Sequence, residues 1–198
     1  FENSIESSSY TGLEFNDAAI EKAHLAGVNL LKQSIGDHVN TGNKYDVVVS
    51  FQVLEHVPRP HRFIKDCVEC LAHGGLMIVG VPAHDGLFGS AVNNILNLPP
   101  HHATHWSERT IKRVGELFDL DLVALEYEPI ADYHKDWARK VLLENRLRHF
   151  FRVNFRLLDT RLLSRIISKS SSLFAQVMSL NVEGNKGQTQ VAIFRKRN

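Results

Sequence analysis

Apolar and polar positions fall into alternating blocks over the first two thirds of the chain, and the blocks predict strands and helices in turn. Tyr10 to Phe15 reads as a short strand carrying Glu14 near its end, after which Asn16 caps a helix through Ala26 that Gly27 stops. Val28 to Leu31 is a second short strand. The run Tyr45-Asp46-Val47-Val48-Val49-Ser50-Phe51 is β-branched and apolar without alternation, the pattern of a central strand covered on both faces. Pro60 suits the first turn of a helix with Phe63, Ile64, Cys67, Val68 and Leu71 on one face, and His73-Gly74-Gly75 is expected to end it. Leu76 to Val81 is another buried strand, closed by Pro82. Residues 83–106 read as a long loop with one short helix, in which Gly86 and Gly89 flank a turn that could belong to a lid. Ser107 caps a helix with Ile111, Val114, Leu117 and Phe118 on one face, and Leu120 to Tyr127 alternates as a strand. From Tyr133 to Leu180 the spacing becomes that of a long helix, with Leu143, Leu147, Phe150, Phe151, Phe155, Leu158, Leu162 and Ile166 three or four apart. A polar turn, Asn181 to Gly187, leads to a last strand, Gln190 to Arg195.

Such alternation predicts a parallel sheet with helices on both faces, and sheets of that kind bind ligands at the carboxyl ends of their strands. Those ends carry Glu14-Phe15, Gln33-Ser34-Ile35, Phe51-Gln52-Val53 and Pro82-Ala83-His84. A length of 198 residues with 43% hydrophobic and 23% charged positions fits one globular unit and excludes disordered or collagen-like chains. The two cysteines, Cys67 and Cys70, sit three apart on a helix with no other cysteine to complete a metal set, so they are expected as buried thiols. No run approaches the length of a membrane span and no signal-peptide pattern opens the chain, which makes a cytoplasmic location the expectation.

Three stretches resemble the class I S-adenosylmethionine-dependent methyltransferases of the small-molecule, glycan and ubiquinone type. Tyr45 to Val57 resembles that family's fourth-strand motif, and Leu71-Ala72-His73-Gly74-Gly75-Leu76-Met77-Ile78-Val79 resembles its fifth-strand motif. Gly12-Leu13-Glu14-Phe15-Asn16 resembles the acidic end of its second strand. The family's glycine-rich first turn has no counterpart, and Phe1 stands where the following helix would end, so the first strand and its loop are expected upstream of Phe1. The fold this implies is α/β: a Rossmann-like, mostly parallel sheet with an antiparallel last strand, lacking its first strand. A single domain over 1–198 would carry a helical insertion or cap at 133–180.

The resemblance implies S-adenosylmethionine as donor and S-adenosylhomocysteine as product. Glu14, with Phe15 and Asn16 beside it, would hold the ribose and adenine. Gln33, Ser34 and Ile35 would meet the adenine, with Asp37 as an acid that could reach in. Phe51, Gln52 and Val53 would line the methionine side, while Asp46 is expected to be structural. Methyl transfer is an in-line displacement in which a neutral histidine can serve as base. His56, His102 and His105 are the catalytic candidates, the last two from the loop Pro99 to Ser107, which resembles a substrate-side loop of some members. No metal is expected, because no Asp or Glu stands among His101, His102 and His105 before Glu108.

Charge is balanced overall, 23 Lys+Arg against 22 Asp+Glu, which argues against a whole-surface nucleic-acid binder. It is nevertheless segregated: residues 134–170 hold ten Lys+Arg and three Asp+Glu. Arg148, Arg152 and Arg156 recur every fourth residue and predict a basic amphipathic helix, suited to packing on the sheet, to a homodimer contact, to an anionic or lipid-linked acceptor or to peripheral membrane contact. The expected reaction is methylation, on oxygen before nitrogen or carbon, of a small-molecule or glycan/lipid-linked acceptor, with nucleic acid disfavoured. The competing reading is a non-catalytic scaffold that kept the fold and lost the donor loop. A nicotinamide dehydrogenase shares the acid after the second strand but leaves the other two motifs unexplained.

Overall fold

The computed structural model describes residues 10–178 and 180–197; the serine cluster at 7–9 and the position of Phe1 lie outside them. The elements in order are β1 Gly12–Leu13, α1 Asp17–Leu25, β2 Leu30–Leu31, α2 Ile35–Val39, β3 Tyr45–Phe51, α3 Pro60–Cys70, β4 Leu71–Pro82, α4 Glu108–Leu117, β5 Leu120–Tyr127, α5 Lys135–Phe150, α6 Leu162–Val177 and β6 Thr189–Lys196. β1 and β2 pair in parallel as a separate two-stranded sheet. The four-stranded sheet has the order β3-β4-β6-β5, with β3 parallel to β4 and β6 antiparallel to both its neighbours.

Most boundaries follow from local chemistry. Asn16 caps α1 by accepting from the Ala19 amide, and Gly27 ends it with a φ of 75°, a left-handed conformation that only glycine adopts without strain. Pro60 opens α3 as expected. The helix ends at Cys70, four residues before the glycine pair, and Leu71 already pairs with Tyr45; the next partners are Val47 and Leu76, so residues 72–75 loop out of the ladder. Gly74, with a φ of 69°, allows that loop, and a side chain on Gly75 would press on the Tyr45 and Asp46 carbonyls.

The main core lies on one face of the four-stranded sheet. There Met77, Val79, Val81, Ala192 and Phe194 meet Ile64 and Cys67 of α3 and Ile111 and Val114 of α4. The opposite face is not covered near β3, contrary to the expected two-sided sandwich. Val47, Val49 and Phe51 are about half exposed while Val48 and Ser50 face the core, because β3 lies at the sheet edge among the described residues and no described helix crosses its outer face. Asp46 is exposed at its start. Leu117 also departs from expectation, lying out in solvent while Gly115 takes the inward position under the Phe194 ring.

The expected long helix between β5 and β6 is two helices, α5 and α6, joined by residues 151–161. Arg148 explains the break. It is buried and bridges Glu144, one turn earlier, to Asp159 at 3.1 Å in the connecting segment, with Ser164 of α6 as a further partner. Arg161 and Arg148 hold the Asp159 carboxyl far below the usual carboxylate range. Arg148 is therefore a buried clasp, and Arg152 and Arg156 lie beyond the helix end, so the predicted one-sided basic helix does not form. The apolar stripe meant for the sheet is largely outside: Phe150, Leu158, Leu162 and Ile166 are all more than half exposed. α5 instead buries Ala138 against Phe88 and Val182 in a second, smaller core.

Removing one member of a buried ion pair leaves the other charges unpaired in a poorly solvated place. Arg148→Met is accordingly expected to lower the melting temperature by roughly 10 °C or more, read by thermal denaturation. Cys67 and Cys70 are buried free thiols, and burial pushes the Cys67 thiol up to about 12. Neither should react with a thiol reagent at pH 8 in the native protein, and both should react once it is unfolded, as counted by mass spectrometry.

Candidate functional site

Pairing in parallel brings the carboxyl ends of β1 and β2 together: the Glu14 amide donates to the Leu31 carbonyl at 3.1 Å, setting Glu14–Asn16 beside Gln33–Ile35. Glu14 turns back on its own chain. Its Oε1 accepts from the amides of Phe15 at 2.7 Å and Asn16 at 2.9 Å, and these bonds, Asn16 first, hold its carboxyl below the ordinary value. Oε2 has no partner among the described residues and remains open to a hydroxyl donor. Phe15 beside it is 66% exposed, a ring with a free face.

Several neighbours prove to be committed to structure. Asn16 uses its side chain as the cap of α1. Ser34 and Asp37 form a reciprocal capping box on α2, so the Asp37 carboxylate is engaged in the cap. Gln33 is bonded to His38, which in turn meets the Tyr45 hydroxyl at 2.7 Å. Ile35 packs against the main core. At this end, therefore, Glu14 and Phe15 are the two expected contacts whose side chains are free.

At the carboxyl end of β3 the chain bends sharply. Gln52 has a φ of 52°, a strained value for a residue with a side chain, and its amide donates to the Gly80 carbonyl at 2.8 Å. Gly80 is required there because a Cβ would lie 2.5 Å from the Phe51 ring. Phe51, Gln52 and Val53 are all exposed beyond the edge of the sheet, and the Gln52 amide nitrogen reaches Thr189 at 3.5 Å. No hydrogen bond among the described residues joins this group to Glu14 and Phe15.

The bend delivers Glu55 and His56 to the loop 83–106. Two amides of that loop, Ala103 at 2.8 Å and Thr104 at 3.1 Å, donate to the single carbonyl of Glu55. His56 bonds through Nδ1 to the His101 carbonyl, and His102 bonds through Nδ1 to Asn97 Oδ1 at 3.0 Å. The two rings meet edge to face with centroids 5.1 Å apart. Glu55 is 1% exposed, and neither carboxylate oxygen has a hydrogen-bond partner. Burial pushes its carboxyl up, against smaller downward pulls from its own backbone amide and then from His56, whose Nε2 is 3.7 Å away. Burial and the charge of His56 push His102 down, favouring its neutral form at pH 7.

His105 stands apart from this group. Its Nε2 meets the Asn97 carbonyl at 2.7 Å and its ring stacks on His84 at 4.5 Å. Two residues with positions in the site, Glu55 and Asn97, had no role in the sequence reading. An acid inside the apolar run Val53-Leu54-Glu55 is a signal for the first; nothing local marks the second. Gly86 and Gly89 are buried, and a Cβ on Gly89 would overlap the His84 carbonyl, so this turn is packed and not a lid.

The family described as "Methyltransferase domain" matches residues 3–125, and the chain belongs to it, among the class I S-adenosylmethionine-dependent methyltransferases. A ubiquinone biosynthesis O-methyltransferase of Parvibaculum lavamentivorans is 35% identical over a stretch covering 32% of this chain and 28% of that protein. One from Vibrio parahaemolyticus is 29% identical, covering 66% of this chain and 63% of that protein. The chain thus spans less than two thirds of these curated relatives. A S-adenosylmethionine-dependent methyltransferase of Archaeoglobus fulgidus shares the fold, with a TM-score of 0.57 at 15% identity, covering 94% of this chain and 75% of that one. The family's cofactor fits the residues at the end of β1, where an ionised carboxylate offers one open oxygen and an aromatic face stands beside it.

Proposed function

We propose that this protein transfers a methyl group from S-adenosylmethionine to an oxygen of a small, apolar or lipid-linked acceptor. The observation that carries the reading is the pair of imidazoles beside a buried carboxylate, just past the bend that ends β3. Each ring uses Nδ1 as a donor to a fixed oxygen, which leaves a lone pair on Nε2. An acceptor hydroxyl placed there can pass its proton to His56 Nε2, and the Glu55 carboxylate 3.7 Å away would stabilise the resulting imidazolium. Bound cofactor supplies an electrophilic methyl group. The work of the chain is to hold the ribose with Glu14, to orient the acceptor oxygen and to take its proton. His105, hydrogen-bonded and stacked on His84, belongs to the wall of the acceptor side in this reading. The similarity to ubiquinone O-methyltransferases supports oxygen as the acceptor atom.

The exposed apolar residues of α5 and α6 support an apolar acceptor. Phe150, Leu162 and Val177 are 77%, 74% and 81% exposed, with Arg146, Arg152, Arg156, Arg165 and Lys169 exposed among them. In this proposal residues 133–180 form a cap that rests on an anionic membrane surface from the cytoplasmic side.

Isothermal titration with S-adenosylhomocysteine tests the donor site. Glu14→Ala should weaken binding by roughly tenfold to a hundredfold, and Glu14→Gln, which keeps an acceptor, by less. His56→Ala should leave that affinity intact and lower turnover of a hydroxylated aromatic acceptor by about a hundredfold or more. Equal donor affinity in Glu14→Ala and the parent would remove the assignment. Sedimentation with vesicles of anionic lipid tests the cap. The parent should co-sediment at low salt, and Phe150→Ser with Leu162→Ser should not; a concentration-dependent dimer that ignores vesicles would assign the patch to a second copy instead.

A further inference from the structure

We propose that Glu55, His56 and His102 form a binding site for one divalent transition-metal ion of the zinc class. His101, His102 and His105, neighbours in the chain with no acid among them, gave no reason to expect a metal. Folding brings together a different set, one acid and one histidine from the end of β3 and one histidine from the loop. A carboxylate oxygen of Glu55 and one ring nitrogen each of His56 and His102 lie within 4.8 Å of one another. Ligands about 2.0–2.2 Å from one tetrahedral ion lie about 3.4 Å apart, so the donor atoms would close on one another by up to roughly 1.4 Å when the ion binds. His56 is half exposed and free to make that movement.

Three features fit a bound cation. First, both oxygens of Glu55 are unpartnered at 1% exposure, a costly arrangement for a carboxylate unless a cation or a proton joins it. Second, both histidines are set up as metal-ligating histidines usually are, with one nitrogen anchored on an oxygen and the other left with its lone pair. His56 is anchored on the His101 carbonyl and His102 on Asn97 Oδ1. Third, no described lysine or arginine forms an ion pair with Glu55, so no side chain other than His56 supplies the countercharge.

The donor set selects the ion. Two imidazoles and one carboxylate suit zinc, cobalt or manganese, whereas magnesium and calcium take oxygen ligands. Three protein ligands leave at least one position open, the pattern of a site that takes a further oxygen. Under the methyl-transfer reading that oxygen belongs to the acceptor hydroxyl; with the ion on His56 Nε2 in place of a proton, the ion would lower the hydroxyl's pKa and the acceptor proton would leave to solvent water rather than to His56.

The test uses the whole chain, stripped with a chelator and titrated with Zn2+ by calorimetry and with Co2+ by visible absorption. One equivalent should bind, with a cobalt spectrum of nitrogen and oxygen ligation, and Mg2+ should not compete. Glu55→Gln and His102→Ala should abolish the cobalt signal. Asn97→Ala, which removes only the anchor of His102, should weaken zinc by roughly tenfold to a hundredfold and guards against a folding defect in the other two. Absence of stoichiometric binding, or binding that survives all three substitutions and so belongs to others among the 11 histidines, would overturn the site. Because S-adenosylhomocysteine titration reads the donor end alone, zinc binding without it would sink methyl transfer and keep the metal, and the reverse would keep the proton in the cluster.

Discussion

One carbonyl oxygen carries much of the architecture of this site. The amides of Ala103 and Thr104 both donate to the Glu55 carbonyl, and the Thr104 hydroxyl donates to the carbonyl of Leu54 at 3.3 Å. Those bonds tie a 24-residue loop to the end of β3 and set His102 against His56. The Glu55 backbone is in turn held by the bend at Gln52, whose amide is anchored on β4 through Gly80. The strained φ at Gln52 is held by its amide bond to the Gly80 carbonyl, beside the last rung of the β3–β4 ladder. The chemistry at the carboxyl end of the sheet therefore depends on parallel register between β3 and β4.

The molecule places its two sets of functional groups on separate supports. Glu14 and Phe15 ride on the small β1–β2 sheet, which is joined to the larger body through α2 packed on α3. The histidine cluster rides on the four-stranded sheet. The open outer face of β3 bears the half-exposed apolar side chains of Val47, Val49 and Phe51. The second concentration of exposed apolar side chains, on α5 and α6, lies between β5 and β6 in the chain. Its helices are fixed by the buried Glu144–Arg148–Asp159 clasp and by the small core around Phe88, so its exposed residues are held rigidly outward.

Much of this was legible in the sequence, and the reason is local. β3 and β5 occupy the residues their patterns predicted, Asn16, Ser107 and Gly27 act as caps, and the cysteines are buried, because caps, β-branched runs and glycine conformations are decided within a few residues. Glu14 was legible for the same reason, as an acid closing a strand. Arg148, Ser34 and Gln33 each have two uses that short-range spacing cannot separate. Arginine at every fourth position marks a solvated basic face unless acids from the next segment reach the same point, and Asp159 does.

The sequence alone determined the alternation of elements and the residues that close the strands, since these depend on periodicity and near-neighbour bonds, and its three motifs carried the resemblance to the family. Tertiary structure decided which face of β3 is bare, where the long apolar segment breaks into α5 and α6, and that Glu55 meets His102 across 47 residues. Such encounters are set by loop closure and sheet register. Both are sums over many weak contacts far apart in the chain, and no single stretch of residues encodes them.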